Sequence, residues 1–153
     1  MVIIRELQPG DIEHIAENIR PIDAKEALCM TGHSPIEAIK LSVDRSDAVR
    51  VAEYNSEPVA IFGIAPQALL SFDGVIWLVG TTNFKLVRKT FIKLSKETIE
   101  FLLTYYPTAV NYVLAENKET IKWLKWCGAE LEAAVPYGKG KELFHRLTLR
   151  RDA

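Results

Sequence analysis

The segment Asn117–Ala129 reads Asn-Lys-Glu-Thr-Ile-Lys-Trp-Leu-Lys-Trp-Cys-Gly-Ala, and Asn117 and Gly128 within it are the residues that decide the fold. Asparagine is a residue type that caps helix N-termini, and Asn117 stands directly before about ten residues of helical character. Gly128 follows them, and glycine commonly ends helices because it adopts the left-handed conformation without a steric penalty. The apolar run Val110–Ala115 predicts a strand before the cap. The segment therefore predicts a strand followed by a capped helix over Lys118–Cys127.

The composition is that of an ordinary globular protein. Of 153 residues, 48% are hydrophobic and 25% are charged, which suits one domain with a real core, expected over residues 1–153. The formal net charge of -1 gives no electrostatic reason to expect nucleic acid or an anionic membrane as a partner. No apolar run approaches the roughly 20 residues of a membrane helix. Met1–Glu6 lacks the basic and apolar regions of a signal peptide, so we expect a cytoplasmic protein.

The cysteines and histidines do not form a metal-binding pattern. Cys29 and Cys127 are far apart in sequence, so we expect two thiols in a reducing compartment and no metal. A cysteine nucleophile with His33 or His145 is the alternative interpretation.

Capping and turn signals place the first helices. Asp11, after Pro9-Gly10, is predicted to cap one helix, and a second short helix is predicted over Asp23–Met30. Ser34-Pro35-Ile36-Glu37 predicts a third helix with a capping box, in which the Ser34 and Glu37 side chains each bond the other's backbone N–H. That helix is predicted to end near Asp44.

The remaining elements follow from hydrophobic periodicity. The longest helical pattern covers Leu86–Tyr105, and strands are predicted over Val2–Leu7, Ala48–Tyr54, Val59–Ala65, Val75–Gly80, Glu130–Val135 and Leu143–Leu149. The resulting order is β-α-α(-α)-β-β-β-α-β-α-β-β. Strands mixed with helices in this order predict an α/β (α+β) fold with a mixed sheet.

This order resembles that of the GCN5-related N-acetyltransferase fold, and the resemblance covers essentially the whole chain. The chain is also similar to the small internal virion (core) protein family of short-tailed bacteriophages. Four stretches carry that second similarity: Ile4-Arg5-Glu6-Leu7 with Asp11, Ile19–Glu26, Ile76–Thr81, and Tyr106-Pro107 with Asn111 and Asn117–Ala129. The first resemblance implies an acetyltransferase, and the second implies a phage or prophage protein of the virion or its assembly.

The acetyltransferase resemblance implies a site for acetyl-CoA. The family binds the pantetheine arm between two splayed strands and the pyrophosphate at a Gly-rich turn that opens the long helix. If acyl-CoA binds here, the resemblance assigns the contacts to Leu78, Gly80, Thr81, Lys85 and Asn117.

Two departures from the family pattern weaken this assignment. The turn Gly80-Thr81-Thr82-Asn83-Phe84-Lys85 has one glycine and lacks the second, and bulky Phe84 and Leu86 stand where backbone would approach a phosphate. Leu124 occupies the position of the family's tyrosine acid, and leucine has no proton to donate. The turn's Lys85, with Arg88 and Lys89, is either a solvated helix face or a residual anion site.

No catalytic residue can be assigned from the sequence. Tyr112 or Tyr137 could substitute as the acid and Glu116 as the base, although a strand or loop surface is the favoured explanation for each of them. Trp123 and Trp126 are three residues apart on a helix, so they belong either to the core or to a contact surface for another protein.

The sequence therefore supports two main hypotheses. In the first, the chain is a non-enzymatic phage or prophage virion or assembly protein that acts through contacts with other virion proteins. It would lie in the host cytoplasm or in the virion and would need no cofactor. It could form a homo-oligomer. In the second, it is a divergent N-acetyltransferase that uses acetyl-CoA. A small-ligand sensor is a third option.

Overall fold

The computed structural model describes residues 1–151 and shows a mixed sheet with helices on both faces. The strands are β1 (Val2–Arg5), β2 (Ala48–Tyr54), β3 (Glu57–Pro66), β4 (Asp73–Gly80), β5 (Thr108–Leu114), β6 (Glu130–Leu131), β7 (Val135–Tyr137) and β8 (Glu142–Arg150). The helices are α1 (Asp11–Glu17), α2 (Pro21–Thr31), α3 (Pro35–Arg45), α4 (Arg88–Leu102) and α5 (Lys118–Trp126). A 3₁₀ helix, Thr82–Leu86, precedes α4. The predicted α/β class is confirmed.

The strands form one sheet in the order β1-β2-β3-β4-β5-β8-β6, with β7 also paired to β8. Every pairing is antiparallel except that of β4 with β5. The parallel pair arises because α4 carries the chain from the end of β4 back to the start of β5, and such a crossover makes the two strands run in the same direction.

The parallel pair β4–β5 is joined at one end only. Asp73–Val75 pairs with Thr108–Val110, and beyond these residues the two strands separate. At the point of separation the Asn111 side chain donates a hydrogen bond from Nδ2 to the Ile76 carbonyl oxygen at 2.5 Å. The sheet therefore has an opening between the carboxyl-terminal halves of β4 and β5, which we call the split.

Each face of the sheet has its own apolar cluster. Under α4 and α5, buried side chains such as Phe62, Phe91 and Leu124 form the larger core. On the opposite face, Ile15 of α1 and Ile39 of α3 pack on the sheet in a smaller cluster. Burial of these apolar side chains is the main term that holds the helices on the sheet.

Two helix boundaries show their predicted chemistry. The Ser34 hydroxyl accepts a hydrogen bond from the Glu37 N–H, and the Glu37 carboxylate accepts one from the Ser34 N–H, so the predicted capping box is confirmed. At the end of α5, Gly128 has a φ of 94°, and the Ala129 N–H reaches back to the Leu124 carbonyl at 3.0 Å. This is a Schellman motif, as expected from the glycine.

The prediction that Asp11 caps α1 is wrong. The cap position is Gly10, and Asp11 is the first helical residue. The buried Asp11 carboxylate instead accepts two hydrogen bonds from the Arg5 guanidinium, at 2.8 and 3.0 Å, and one from the Gln8 N–H. Arg5 holds the pKa of that carboxyl low despite its burial, so the pair stays ionised and ties β1 to α1.

The predicted helix Leu86–Tyr105 divides into two pieces. Residues 82–86 form the 3₁₀ helix, and α4 begins only at Arg88. A 3₁₀ helix has three residues per turn, so Phe84 and Val87 both point into the core, where both are buried.

The predicted strand Glu130–Val135 is also interrupted, because one extra residue separates two short pairings with β8. Leu131 pairs with Leu147 and Val135 pairs with Phe144, which leaves three residues facing two. Such a bulge breaks the ladder into β6 and β7.

The capping box gives a simple test of the fold. We expect Ser34→Ala to lower the free energy of unfolding by about 1 kcal/mol, because it leaves the Glu37 N–H without its partner. Urea denaturation measures this change. Glu37→Gln is the matched control and should be close to neutral, since glutamine can also accept the bond from the Ser34 N–H. Equal losses in the two variants would contradict the assignment.

Candidate functional site

The split opens into a cavity of about 400 Å³. Side chains of α2 and α3 line it on one face of the sheet, and side chains of α4 and α5 line it on the other. Its walls combine apolar groups, among them Phe91 and Leu124, with the polar groups of Arg20, Asp23 and Glu26. It is therefore the place in the described part of the chain where polar groups converge on an enclosed space.

The polar groups come from one face of α2. Arg20 is the extended cap residue of this helix, Pro21 is its first residue, and Arg20, Asp23 and Glu26 follow at intervals of three. Residues at this spacing lie close together on a helix surface. The Arg20 guanidinium donates two hydrogen bonds to the Asp23 carboxylate, at 2.8 and 2.9 Å, with both side chains largely buried.

Asp23 also binds the end of β4. The Gly80 N–H donates a buried hydrogen bond to Asp23 Oδ2 at 2.8 Å, and the Arg20 N–H donates to the Gly80 carbonyl at 2.9 Å. A side chain at Gly80 would lie 3.1 Å from Arg20 Nε, so glycine permits this close approach. The last residue of β4 is thus bonded on both its N–H and its carbonyl to the start of α2.

Glu26 closes the other side of the split. The Asn117 amide nitrogen Nδ2 donates to Glu26 Oε2 at 2.7 Å, while the Asn117 oxygen accepts from the Thr120 N–H and caps α5. Burial, together with the negative charge of Asp23, raises the pKa of Glu26 to about 7 against the lowering effect of the hydrogen bond from Asn117. This carboxyl can therefore gain or lose a proton near neutral pH.

The turn after β4 uses its backbone N–H groups internally. The N–H groups that donate to oxygen atoms of this chain are those of Gly80, Thr81, Thr82, Asn83, Phe84 and Val87. A phosphate would need free N–H groups at this turn. The turn is therefore organised to bind its own chain.

Aromatic rings fill the space behind the turn. The Arg20 guanidinium lies over the Phe84 ring, Phe84 contacts Phe91 edge to face at 5.0 Å, and Phe91 contacts Trp123 at 6.0 Å. Trp123 Nε1 is buried and has no hydrogen-bond partner among the described residues. These four side chains form a continuous row of contacts from the start of α2 to α5.

The residues predicted to bind acyl-CoA occupy two different environments. Leu78, Gly80, Thr81 and Asn117 come together at the split, where Gly80, Thr81 and Asn117 are buried. Lys85 is exposed on the 3₁₀ helix. Its neighbour Arg88 pairs with Glu119, and Lys89 is exposed, so this basic face is solvated. The contacts with acyl-CoA themselves stay a prediction.

The candidate acids and base are scattered. The Tyr112 ring lines the cavity and stacks on the Tyr137 ring, with 3.6 Å between centroids, and burial raises the pKa of Tyr137. Glu116 points outward and pairs with Lys25 at 2.7 Å. Leu124 is buried in the core.

Three other predictions have clear structural outcomes. Trp123 packs inward, whereas Trp126 is half exposed beneath the Lys96 ammonium, so the two tryptophans do not form one free surface. Cys29 and Cys127 are free thiols, and burial raises the pKa of Cys127, which disfavours the reactive thiolate. Among residues 1–151, no group of ligating side chains could hold a metal ion, and no helix there is long and apolar enough to cross a membrane.

Sequence reasoning missed the residues that fill the split. Arg20, Asp23 and Glu26 lie in the stretch Ile19–Glu26, which the sequence marks only by its similarity to the phage virion family. Their spacing of three on a predicted helix, with opposite charges at the first two positions, was a signal that they share a face. The sequence held no comparable signal for Asn111.

Solved structures similar to this chain are acetyltransferases of low sequence identity. The ribosomal-protein-S18-alanine N-acetyltransferase of Escherichia coli has a TM-score of 0.69 and 15% identity, covering 100% of this chain and 96% of that one. The spermidine N-acetyltransferase of Vibrio cholerae, in complex with CoA and spermine, has a TM-score of 0.67 and 13% identity, covering 98% and 95%. The yncA protein of Salmonella typhimurium, with acetyl-CoA, has a TM-score of 0.74 and 13% identity, covering 100% and 95%.

This chain has the GCN5-related N-acetyltransferase fold. The prediction of this fold is confirmed, and at these identities the similarity establishes the fold alone.

One segment of the chain also matches a protein-family model. Residues 68–134, less than half of the chain, match the protein-family model described as "Bacteriophage T7, probable scaffold protein Gp13". The matched segment contains β4, α4, β5 and α5, and it agrees with the predicted resemblance to a phage virion family. No curated protein matches the sequence.

In the described conformation, two backbone groups of β4 at the split already have partners within the chain. The resemblance implies that pantetheine would lie along β4 beyond its separation from β5, but there Asp23 binds the Gly80 N–H and Asn111 binds the Ile76 carbonyl. The N–H groups of the turn are used within the chain.

The pKa of Glu26 predicts a pH-dependent stability. Its folded-state pKa of about 7 lies above the ordinary 4.5, so between these values the folded state binds more protons than the unfolded state. The free energy of unfolding should therefore fall as pH rises from 4.5 to about 7, by about 3 kcal/mol in all, and level off above that range.

Glu26→Gln removes this titration. Relative to the wild type, we expect the free energy of unfolding of Glu26→Gln to rise by about 3 kcal/mol between about pH 5 and pH 8, measured by urea denaturation at each pH. Glu100→Gln, at an exposed position of α4, is the matched control and should show no such change. A constant difference between Glu26→Gln and the wild type across this range would contradict the assigned pKa.

Proposed function

We propose that this chain is a non-catalytic internal virion or assembly protein of a phage or prophage. It is a single GNAT-like domain that acts through contacts with other virion or assembly proteins. It is made in the host cytoplasm and passes into the particle or into an assembly intermediate. Its acetyl-CoA machinery is degenerate, and it uses no cofactor.

The observation that carries the proposal is the bond from the Gly80 N–H to the Asp23 carboxylate. It places an ion pair, Arg20 with Asp23, where the fold would receive the thioester arm. Both side chains are largely buried, and separating one partner of a buried pair is strongly unfavourable, on the order of 3–5 kcal/mol. A cofactor that bound the Gly80 N–H would deprive the buried Asp23 carboxylate of one of its hydrogen bonds.

The family match supports the assembly role. Its printed description is that of a probable scaffold protein of a phage, and the matched residues 68–134 include the turn whose N–H groups from Gly80 to Phe84 donate within the chain. Leu124, at the acid position of the fold, lies in the same segment and is buried as part of the core. The family match and the two departures from the acetyltransferase pattern thus lie in the same segment, residues 68–134.

A divergent acetyl-CoA-dependent N-acetyltransferase is the second candidate. The cavity of about 400 Å³ and the Glu26 carboxyl favour it, because burial raises the pKa of Glu26 to about 7, where a general base works well at neutral pH. This alternative requires a second conformation in which α2 has released Gly80.

Acetyl-CoA titration separates the two candidates. We expect millimolar acetyl-CoA to leave the melting temperature and the tryptophan fluorescence unchanged, since Trp77 and Trp123 both line the cavity and would report its occupation. A ligand at a hundredfold excess over its Kd would stabilise the fold by about 2.7 kcal/mol. ADP is the control ligand, because it tests anion binding at Lys85 and Lys89 without the pantetheine arm. Stabilisation by acetyl-CoA but not by ADP would overturn the non-catalytic proposal.

Particle association tests the assembly role directly. We expect a tagged chain, expressed during particle production, to co-sediment with purified virions or with an assembly intermediate. A tagged cytoplasmic protein of similar size controls for contamination. Recovery of this chain at the control level in both fractions would overturn the assembly role.

A further inference from the structure

The loop between β3 and β4 exposes three large apolar side chains. Leu69 is 94% exposed, Leu70 is 92% exposed and Phe72 is 85% exposed. The other large exposed apolar side chains beyond the first residue reach 61% at most, as at Leu86. We call residues 67–72 the apolar tip. Contiguous exposed apolar surface of this kind marks interaction sites on soluble proteins.

The chain holds the apolar tip in one conformation. The Gln67 N–H donates to the Asp73 carbonyl at 3.1 Å, the Ser71 N–H donates to the Ala68 carbonyl at 3.1 Å, and the Asp73 N–H donates to the Ser71 hydroxyl at 3.0 Å. Leu70 has a φ of 63°, an unfavourable conformation for leucine that these bonds maintain. In this loop conformation the three side chains point outward.

The chemistry of the apolar tip indicates the kind of surface that it fits. Residues 66–72 contain no charged side chain, and Asp73 at the base is acidic. An anionic membrane attracts loops that carry lysine or arginine, so a lipid surface is disfavoured. An uncharged apolar concavity on a protein is the complementary surface.

The area of the apolar tip argues against pairing of two tips in a symmetric dimer. Its three side chains present on the order of 400 Å² of apolar surface. Two tips packed against each other would bury only about half of the roughly 800 Å² per partner that a stable interface needs. A concave pocket would enclose the sides of the loop as well as its end, and so reach a larger contact.

We propose that the apolar tip inserts into an apolar pocket on a different protein of the phage particle or its assembly intermediate. This inference rests on the proposed assembly function and names the surface through which it operates. Leu69, Leu70 and Phe72 are the anchoring residues, and their truncation should weaken binding at least about thirtyfold, as at interface hot spots.

Photocrosslinking identifies what the apolar tip contacts. Phe72→p-benzoylphenylalanine is introduced into the full chain in particle-producing cells, with Leu28 and Leu86, exposed leucines elsewhere, as control positions. We expect one dominant product that joins the chain to another protein of the particle, formed from position 72 and not from the controls. A product with a second copy of the chain, or no product although the chain is recovered with particles, would overturn the proposal.

A triple variant tests the energetic role of the apolar tip. Leu69→Ser/Leu70→Ser/Phe72→Ser should keep the wild-type melting temperature, because these side chains are almost fully exposed. Its recovery with particles should fall at least about thirtyfold, whereas Leu28→Ser/Leu86→Ser should be recovered like the wild type. Wild-type recovery of the triple variant would overturn the docking proposal and leave the assembly role standing. Failure of the wild type itself to associate with particles would instead overturn the assembly role, and this inference with it.

Two further measurements exclude the other occupants. Flotation with vesicles of phosphatidylglycerol and phosphatidylcholine should leave the wild type unbound. Sedimentation of the wild type should show no self-association that is absent from the triple variant. Vesicle binding or self-association that depends on the apolar tip would overturn the proposal.

Discussion

The bond from the Gly80 N–H to the Asp23 carboxylate is the constraint on which the split depends. It anchors α2 across the gap where β4 and β5 part, and Arg20 completes it by pairing with Asp23 and binding the Gly80 carbonyl. Glu26, one turn further along α2, reaches Asn117 at the start of α5. One helix thus joins the two separated strand ends, and it does so with charges that are stable in the interior only while they remain paired.

This arrangement places charged and polar side chains of α2 at the opening between the splayed strands. The splayed strands belong to the architecture, since β4 and β5 pair at Asp73–Val75 and then diverge. In this chain Asp23 of α2 and Asn111 bind the β4 backbone at the two ends of the resulting opening. The turn that would receive phosphate uses its N–H groups for its own 3₁₀ helix and neighbouring strands. What is left exposed is an apolar loop at one end of the sheet, which suits a role in binding proteins.

Much of the fold was predictable because its signals are local. The capping box at Ser34, the stop at Gly128 and the strand Ala48–Tyr54 all lie where the sequence predicts them. The errors fall where tertiary packing overrides a local pattern. Asp11 forms an ion pair with Arg5 instead of capping α1, and the long helix divides at Val87 because Phe84 and Val87 must both enter the core.

The sequence by itself determined the order of the elements, the caps at Ser34 and Asn117, and the departure from the acid position at Leu124. It also placed Leu78, Gly80, Thr81 and Asn117 near one another through the resemblance. Only the tertiary structure decided what occupies the split, because the decisive partners are distant in the chain: Asp23 and Gly80 are 57 residues apart, and Glu26 and Asn117 are 91 apart. Helical and strand periodicities report contacts within a few residues, whereas a buried hydrogen bond between two elements depends on how the whole sheet folds.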